Sequence, residues 1–169
     1  MSYLACMNTQ ITHLAQQLGQ ALQMRQAKVA TAESCTGGGI AEAITRIAGS
    51  SAWFDCGFVT YSNAAKSQLL SVPTALIDQY GAVSEAVVLA MSKGALAKAA
   101  ANFSVAVSGI AGPDGGTVEK PVGTVWLAWA GPRQHYARCF TFGGDRAQVR
   151  SQAVVQALSE MLICVETTV

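Results

Sequence analysis

Ser34 and Cys35 stand side by side in the segment KVATAESCTGGGIAEAIT, Lys28 to Thr45. A short run with β-branched residues leads into them, and Gly37, Gly38 and Gly39 follow closely. This order reads as a strand turning into a helix, with two nucleophile-capable side chains at the corner. Amides at a helix start lack intrahelical acceptors and carry partial positive charge. They can hold a phosphate, or the oxyanion that forms when a nucleophile attacks a carbonyl. Glycines at such a corner let a substrate approach the backbone. The layout has the shape of a nucleophile elbow without the flanking G-x-S-x-G pattern. The competing reading makes Ser34 a capping serine that only satisfies backbone donors. Cys35 is the rival nucleophile, because a thiol at a helix N-terminus can have a depressed pKa. Its alternative is a small buried hydrophobe.

A serine nucleophile needs a base. His13 lies in the first helical pattern and His135 follows a GPRQ turn, and neither has a carboxylate partner nearby in sequence. A Ser–His–Asp triad is therefore unsupported. Lys66, in VTYSNAAKSQLL, is the better candidate. If Ser62 caps the helix, Lys66 falls in its first turn, where the helix dipole opposes a positive charge. The dipole supplies only about 0.3–1 kcal/mol. Bringing a lysine from about 10.4 to near 7 takes on the order of 4–5 kcal/mol. Burial must supply most of that, and the alternative is an ordinary surface lysine. Tyr61 precedes Lys66 at a strand end, where it can relay a proton or orient a substrate, or simply fill a core.

A second glycine-rich corner, VSGIAGPDGG, runs from Val107 to Gly116. Its successive amides, at Gly109, Gly112, Gly115 and Gly116, can form an anion nest, with Ser108 adding a hydroxyl. Taken alone, such a run usually makes only turns. No G-K-[ST] follows it, and neither corner has the G-x-G-x-x-G spacing of a dinucleotide site. Arg146 opens the last helical segment, where it can grip a phosphate bidentately or pair with Asp145.

The elements that must position these residues follow from periodicity. Leu4, Ile11, Leu14, Leu18 and Leu22 predict an amphipathic helix over 5–25. A strand over 27–34 leads to a helix over 37–47, capped by Thr36. WFDCGFVTYS reads as a second strand, Ser62 caps a helix to Leu70, and SVPTALIDQYG holds a helical turn. Ser84 starts an Ala-rich helix to about Ala101. FSVAVSGIAG, VGTVWLAWA and HYARCFTFGG read as three more strands, and a helix over 145–165 closes the chain. This pattern predicts an α/β fold: one compact domain over 1–169, with a central mixed sheet of about five strands flanked by helices.

Composition narrows the function classes. The chain has 169 residues, 51% of them hydrophobic and only 12% charged, enough to bury a large core. The net charge of +1 gives no footprint for nucleic acid. Five widely spaced cysteines without a C-x-x-C argue against a zinc site or disulfide framework and for a reducing cytoplasm. No signal-like segment opens the chain, and the longest apolar run is too short to span a bilayer. Low charge with abundant Ala and Gly suggests surface buried between subunits.

Taken together, TAESCTGG, IAGSSAWFDCGFVTYSNAAK, YGAVSE, SGIAGPDGG and KPVGTVW resemble the CinA C-terminal domain family. The resemblance runs from about Leu14 to the last helix. It implies a bacterial, cytoplasmic, homodimeric α/β amidohydrolase that needs no metal or other cofactor. The implied reaction converts nicotinamide mononucleotide to nicotinate mononucleotide and ammonia, within pyridine-nucleotide salvage. By that resemblance Ser34 is the nucleophile and Lys66 the base, with Tyr61 beside them. Thr36, Gly37 and Gly38 supply oxyanion amides, and Ser108–Gly116 and Arg146 hold the substrate. The same resemblance implies that larger family members carry a further N-terminal domain for which this chain has no room. A non-catalytic nucleotide- or partner-binding module of the competence type is the alternative, and a hydrolase for another small amide is a third reading.

Overall fold

The computed structural model describes residues 3–168. Helix α1, Tyr3–Met24, leads to strand β1, Val29–Glu33, and helix α2, Gly39–Thr45. Strand β2, Phe54–Val59, is followed by three helices: α3, Asn63–Leu70, α4, Thr74–Tyr80, and α5, Glu85–Lys98. Strands β3, Phe103–Gly109, β4, Thr124–Ala130, and β5, His135–Thr141, then precede helix α6, Arg146–Thr167. The five strands form one mixed sheet in the order β2-β1-β3-β4-β5. Strands β2, β1 and β3 run parallel, β4 returns antiparallel to β3, and β5 turns back antiparallel to β4.

Side chains alternate across the sheet, so each strand feeds both faces. Val29, Val105, Val107 and Leu127 pack under α1, α2 and α6. Ala30, Ala32, Ala106 and Ala128 pack under α3, α4 and α5. The result is three layers with the sheet in the middle. The split follows from handedness: crossovers between parallel strands are right-handed. Stepping out from β1 to β2 puts α2 on one face. Returning past β1 to β3 puts α3–α5 on the other. The C-terminal end of β1 is thus the point where successive crossovers diverge, and a crevice opens there.

The alanine side of the sheet lets α5 sit close. Gly94 of α5 passes so near α3 that an added Cβ would lie 2.1 Å from the Leu70 carbonyl oxygen. Two of the expected caps are present: the Ser62 hydroxyl accepts from the Ala65 amide at 3.0 Å, and Ser84 accepts from Val87. The expected cap on α2 is different. Thr36 does not cap a helix over 37–47; the helix begins later, at Gly39, and its N-cap residue Gly38 makes no side-chain cap. Glu33 does the work instead. Its carboxylate accepts from the Ile40 and Ala41 amides at 2.9 and 2.8 Å and from the Thr36 hydroxyl at 2.6 Å. Between strand and helix the chain makes tight turns through Gly37 at φ 60° and Gly38 at φ 96°, a region that L side chains avoid.

Candidate active site

Strand parity sets the first residue. Glu33 points toward α2, so Ser34, the next residue, turns toward the α3–α5 side. Ser34 still belongs to the sheet through its amide, which donates to the Val107 carbonyl at 3.0 Å. Its hydroxyl therefore sits at the diverging end of β1. Helix α3 delivers Lys66 to the same point from the opposite layer. The chain leaves β2 after Val59, sooner than expected, and Thr60 and Tyr61 curl toward the helix start. Lys66 Nζ lies 3.1 Å from Ser34 Oγ, 2.9 Å from the Thr60 carbonyl and 3.4 Å from the Tyr61 carbonyl.

Lys66 is 1% exposed, and among the described residues no carboxylate pairs with it. Burial lowers its pKa below the ordinary lysine value, and the neighbouring Cys35 opposes that drop. A neutral amine has two N–H groups and one lone pair. The two carbonyls can take the N–H groups, which leaves the lone pair to accept the Ser34 O–H. Cys35 is buried, and burial is the main reason its thiol is pushed up to about 11. A thiol with that pKa holds its proton near neutrality, which removes the argument for a thiolate nucleophile.

Ser34 and Lys66 open on a cavity of about 220 Å³. Cys35, Tyr61, Ser108, Gly109 and Arg146 line it as well, so the structure brings seven of the sequence-derived candidates together. Arg146 does not pair with Asp145. Its Nη1 donates to the Gly112 carbonyl at 2.8 Å and its Nη2 to the Tyr61 hydroxyl at 3.0 Å. Asp145 instead caps α6 in a capping box with Gln148. Tyr61 is not a core residue: it is exposed, and Arg146 pins its hydroxyl at the rim.

Thr36, Gly37 and Gly38 are not among the cavity's lining residues. Thr36 is buried against Glu33, and its carbonyl accepts from Arg150. A Cβ on Gly37 would face Arg150, and one on Gly38 would face Val59. The physical reason is the late start of α2: the chain turns before the helix begins, and the Gly37 amide is spent on the Ser34 carbonyl at 2.9 Å. Gly112 reaches the site only through the Arg146 contact, and Gly115 and Gly116 are exposed in the loop beyond it. His13 is exposed on α1, and His135 bonds Ser92 and the Leu89 carbonyl; neither lines the cavity.

Sequence reasoning missed Asn63, Ala82 and Val83, which complete the wall together with Ala111 of the Ser108–Gly116 segment. The alanines and the valine carry no chemical signal. Asn63 sits directly after the Ser62 cap and was readable as a helix-start residue facing the same way as the base. Among the described residues, no group of three or more His, Cys, Asp or Glu side chains is arranged to hold a metal ion. No helix among them is long and apolar enough to cross a membrane.

Fold and site together define a three-layer α/β protein with a buried serine–lysine pair at the diverging end of its first strand. The CinA C-terminal domain family model matches residues 11–165, and the chain belongs to that family. It is 59% identical over 152 residues to the nicotinamide-nucleotide amidohydrolase PncC of Pseudomonas putida, covering 90% of this chain and 95% of that one. The PncC protein of Escherichia coli K12 is 55% identical over 155 residues, covering 91% and 94%. A CinA-like protein of Colwellia psychrerythraea is 53% identical, but only 33% of its length is matched. Among solved structures, a competence damage-inducible protein from Klebsiella pneumoniae superposes with a TM-score of 0.91 at 40% identity, covering 94% of this chain and 99% of that one. The competence/damage inducible protein CihA of Agrobacterium tumefaciens gives 0.90 at 46% identity, covering 94% and 96%.

Proposed function

We propose that the chain hydrolyses the carboxamide of nicotinamide mononucleotide to nicotinate mononucleotide and ammonia, with Ser34 as nucleophile and Lys66 as base. The observation that carries the reading is the buried Lys66 amine 3.1 Å from Ser34 Oγ, in a chain close in sequence to proteins named for that activity. A binding module has no need of a desolvated lysine held on a serine hydroxyl.

In this reading neutral Lys66 takes the Ser34 proton as Oγ bonds to the carboxamide carbon. The Thr60 and Tyr61 carbonyls steady the ammonium that results. Cys35 lines the cavity directly after the nucleophile, so its amide and the Ser108 hydroxyl replace Thr36–Gly38 as donors to the oxyanion. Lys66 returns its proton to the leaving nitrogen, and ammonia departs. Water, activated by the same amine, then cleaves the nicotinoyl ester and restores Ser34. Arg146 and the Gly109–Gly112 corner receive the phosphate, and Tyr61 sits between phosphate and base. The working form is a cytoplasmic homodimer.

The deciding experiment measures ammonia release from nicotinamide mononucleotide, nicotinamide riboside and nicotinamide side by side. Fast release from the mononucleotide supports the reading. Faster release from another amide would reassign the substrate, and no release from any amide would leave a binding module.

A further inference from the structure

Behind the Ser34 corner, on the opposite face of the sheet, α1, α2 and α6 line a second, open hollow of about 510 Å³. None of its lining residues belongs to the catalytic cavity. Its volume lies within the usual range for small-molecule sites. Two arginines face it, and they differ in one respect. Arg46 is engaged through all three nitrogens: Glu42 accepts from its Nε and Nη2, and Asn8 and Thr12 accept from its Nη1. Arg150 is not. Its Nη2 donates to the Thr36 carbonyl at 2.8 Å, its Nε is buried without an acceptor, and no carboxylate pairs with it among the described residues. A guanidinium cannot relieve this by losing its proton. It needs an acceptor, and a carboxylate or phosphate fits its planar fork best.

The rest of the hollow says what else such an acceptor carries. Leu4, Ile11 and Val154 give it apolar walls. Glu42 stands at the rim, and Arg46 neutralises it. We propose that this hollow is a binding site for a small organic anion, a carboxylate or phosphate monoester with an apolar body, whose charged group docks on Arg150. The site is separate from the amidase reading and does not depend on it.

Equilibrium binding measured by isothermal titration calorimetry tests the site without turnover. The probes are benzoate, adenosine monophosphate and inorganic phosphate. At least one of the first two should bind the unaltered protein with Kd below about 1 mM, and inorganic phosphate at least about tenfold more weakly. The tighter of the two separates carboxylate from phosphate as the docking group. Arg150→Gln should weaken that probe at least about tenfold. Ala147→Trp, which fills the hollow from an exposed helix position and spares Arg150, should do the same and covers the case in which Arg150→Gln fails to fold. Arg146→Gln, at the other cavity, should leave the affinity unchanged. The site is overturned if neither organic probe binds below about 1 mM, or if binding survives Ala147→Trp and is lost in Arg146→Gln. Inorganic phosphate binding as tightly as the organic probes would overturn the apolar part of the site.

Discussion

A lysine acts as a base only while neutral, so the surroundings of Lys66 matter more than its identity. Burial lowers its pKa, and two carbonyls rather than a carboxylate receive its N–H groups. The kcat/KM profile should therefore rise with pH as Lys66 loses its proton. Lys66→Met should cost at least about a hundredfold in ammonia release, the low end for removing a general base. Lys66→Arg should fail as well, because guanidinium stays protonated. Stability carries the same signature. The folded-state pKa lies below the ordinary 10.5. Between the two values the unfolded chain binds more protons, so stability rises with pH across that window. Below the folded value both states are charged and the whole cost of burying an ammonium is present. Urea titrations should show Lys66→Met gaining on the parent as pH falls from 10.5 through the folded value. A pH-independent difference between the two would mean that Lys66 is not shifted. At the neighbouring position, Ser34→Ala should abolish ammonia release while Cys35→Ser keeps most of it. The reverse pattern would make the chain a cysteine hydrolase.

At the scale of elements, the pair depends on two close fits. One is the Glu33 carboxylate, fully buried and accepting three hydrogen bonds from the start of α2 and from Thr36. Glu33→Gln keeps the shape but places an N–H₂ group against donors. It should cost on the order of 2–4 kcal/mol in a denaturant titration, the range for one or two lost bonds to a charged group. The other fit is Gly94. Alanine there meets the Leu70 carbonyl and must push α3, and with it Lys66, away from α5. Gly94→Ala should cost about 1–3 kcal/mol and lower kcat at an unchanged protein concentration. Neither fit was legible in the sequence. Periodicity, strand-forming composition and cap residues located five of the six α-helices among the described residues and all five strands, with α4 expected only as a helical turn; the Ser62 and Ser84 caps read correctly, because those signals are local. The α2 cap did not, because an acid that ends a strand and reaches forward seven and eight residues leaves no short-range pattern. Ser34 and Lys66 were readable as chemistry from residue type and helix-start position. Their meeting depends on strand parity and crossover handedness, which one sequence without its strand order does not reveal.

The whole molecule assembles the site from elements far apart in the chain. Ser34 directly follows the first strand, Lys66 rides on a helix of the opposite layer, Ser108 lies one residue before the end of the third strand, and Arg146 opens the last helix. That last helix is held against α1, where Arg25 donates to the carbonyls of Glu166 and Thr168. At the other end of the same helix, Arg146 is held by the Gly112 carbonyl and the Tyr61 hydroxyl. Arg146 in turn closes one side of a cavity of about 220 Å³, smaller than the usual range for a whole ligand of drug size. A pyridine ring and ribose would fill it and leave a phosphate at the rim, beside Arg146 and Gly112. The Tyr61 hydroxyl occupies that guanidinium in the structure, and an entering phosphate would compete with it for the same N–H groups. Nicotinamide riboside should accordingly be a much poorer substrate than the mononucleotide, by at least about tenfold in kcat/KM for one lost charge-assisted contact. Arg146→Ala should narrow that gap by slowing the mononucleotide and leaving the riboside near its original rate. Tyr61→Phe frees the guanidinium without removing it, so it should preserve the preference for the mononucleotide. Steady-state kinetics on both substrates with the three proteins separates the outcomes. Equal kcat/KM for riboside and mononucleotide in the unaltered enzyme would remove the phosphate site from this end of α6.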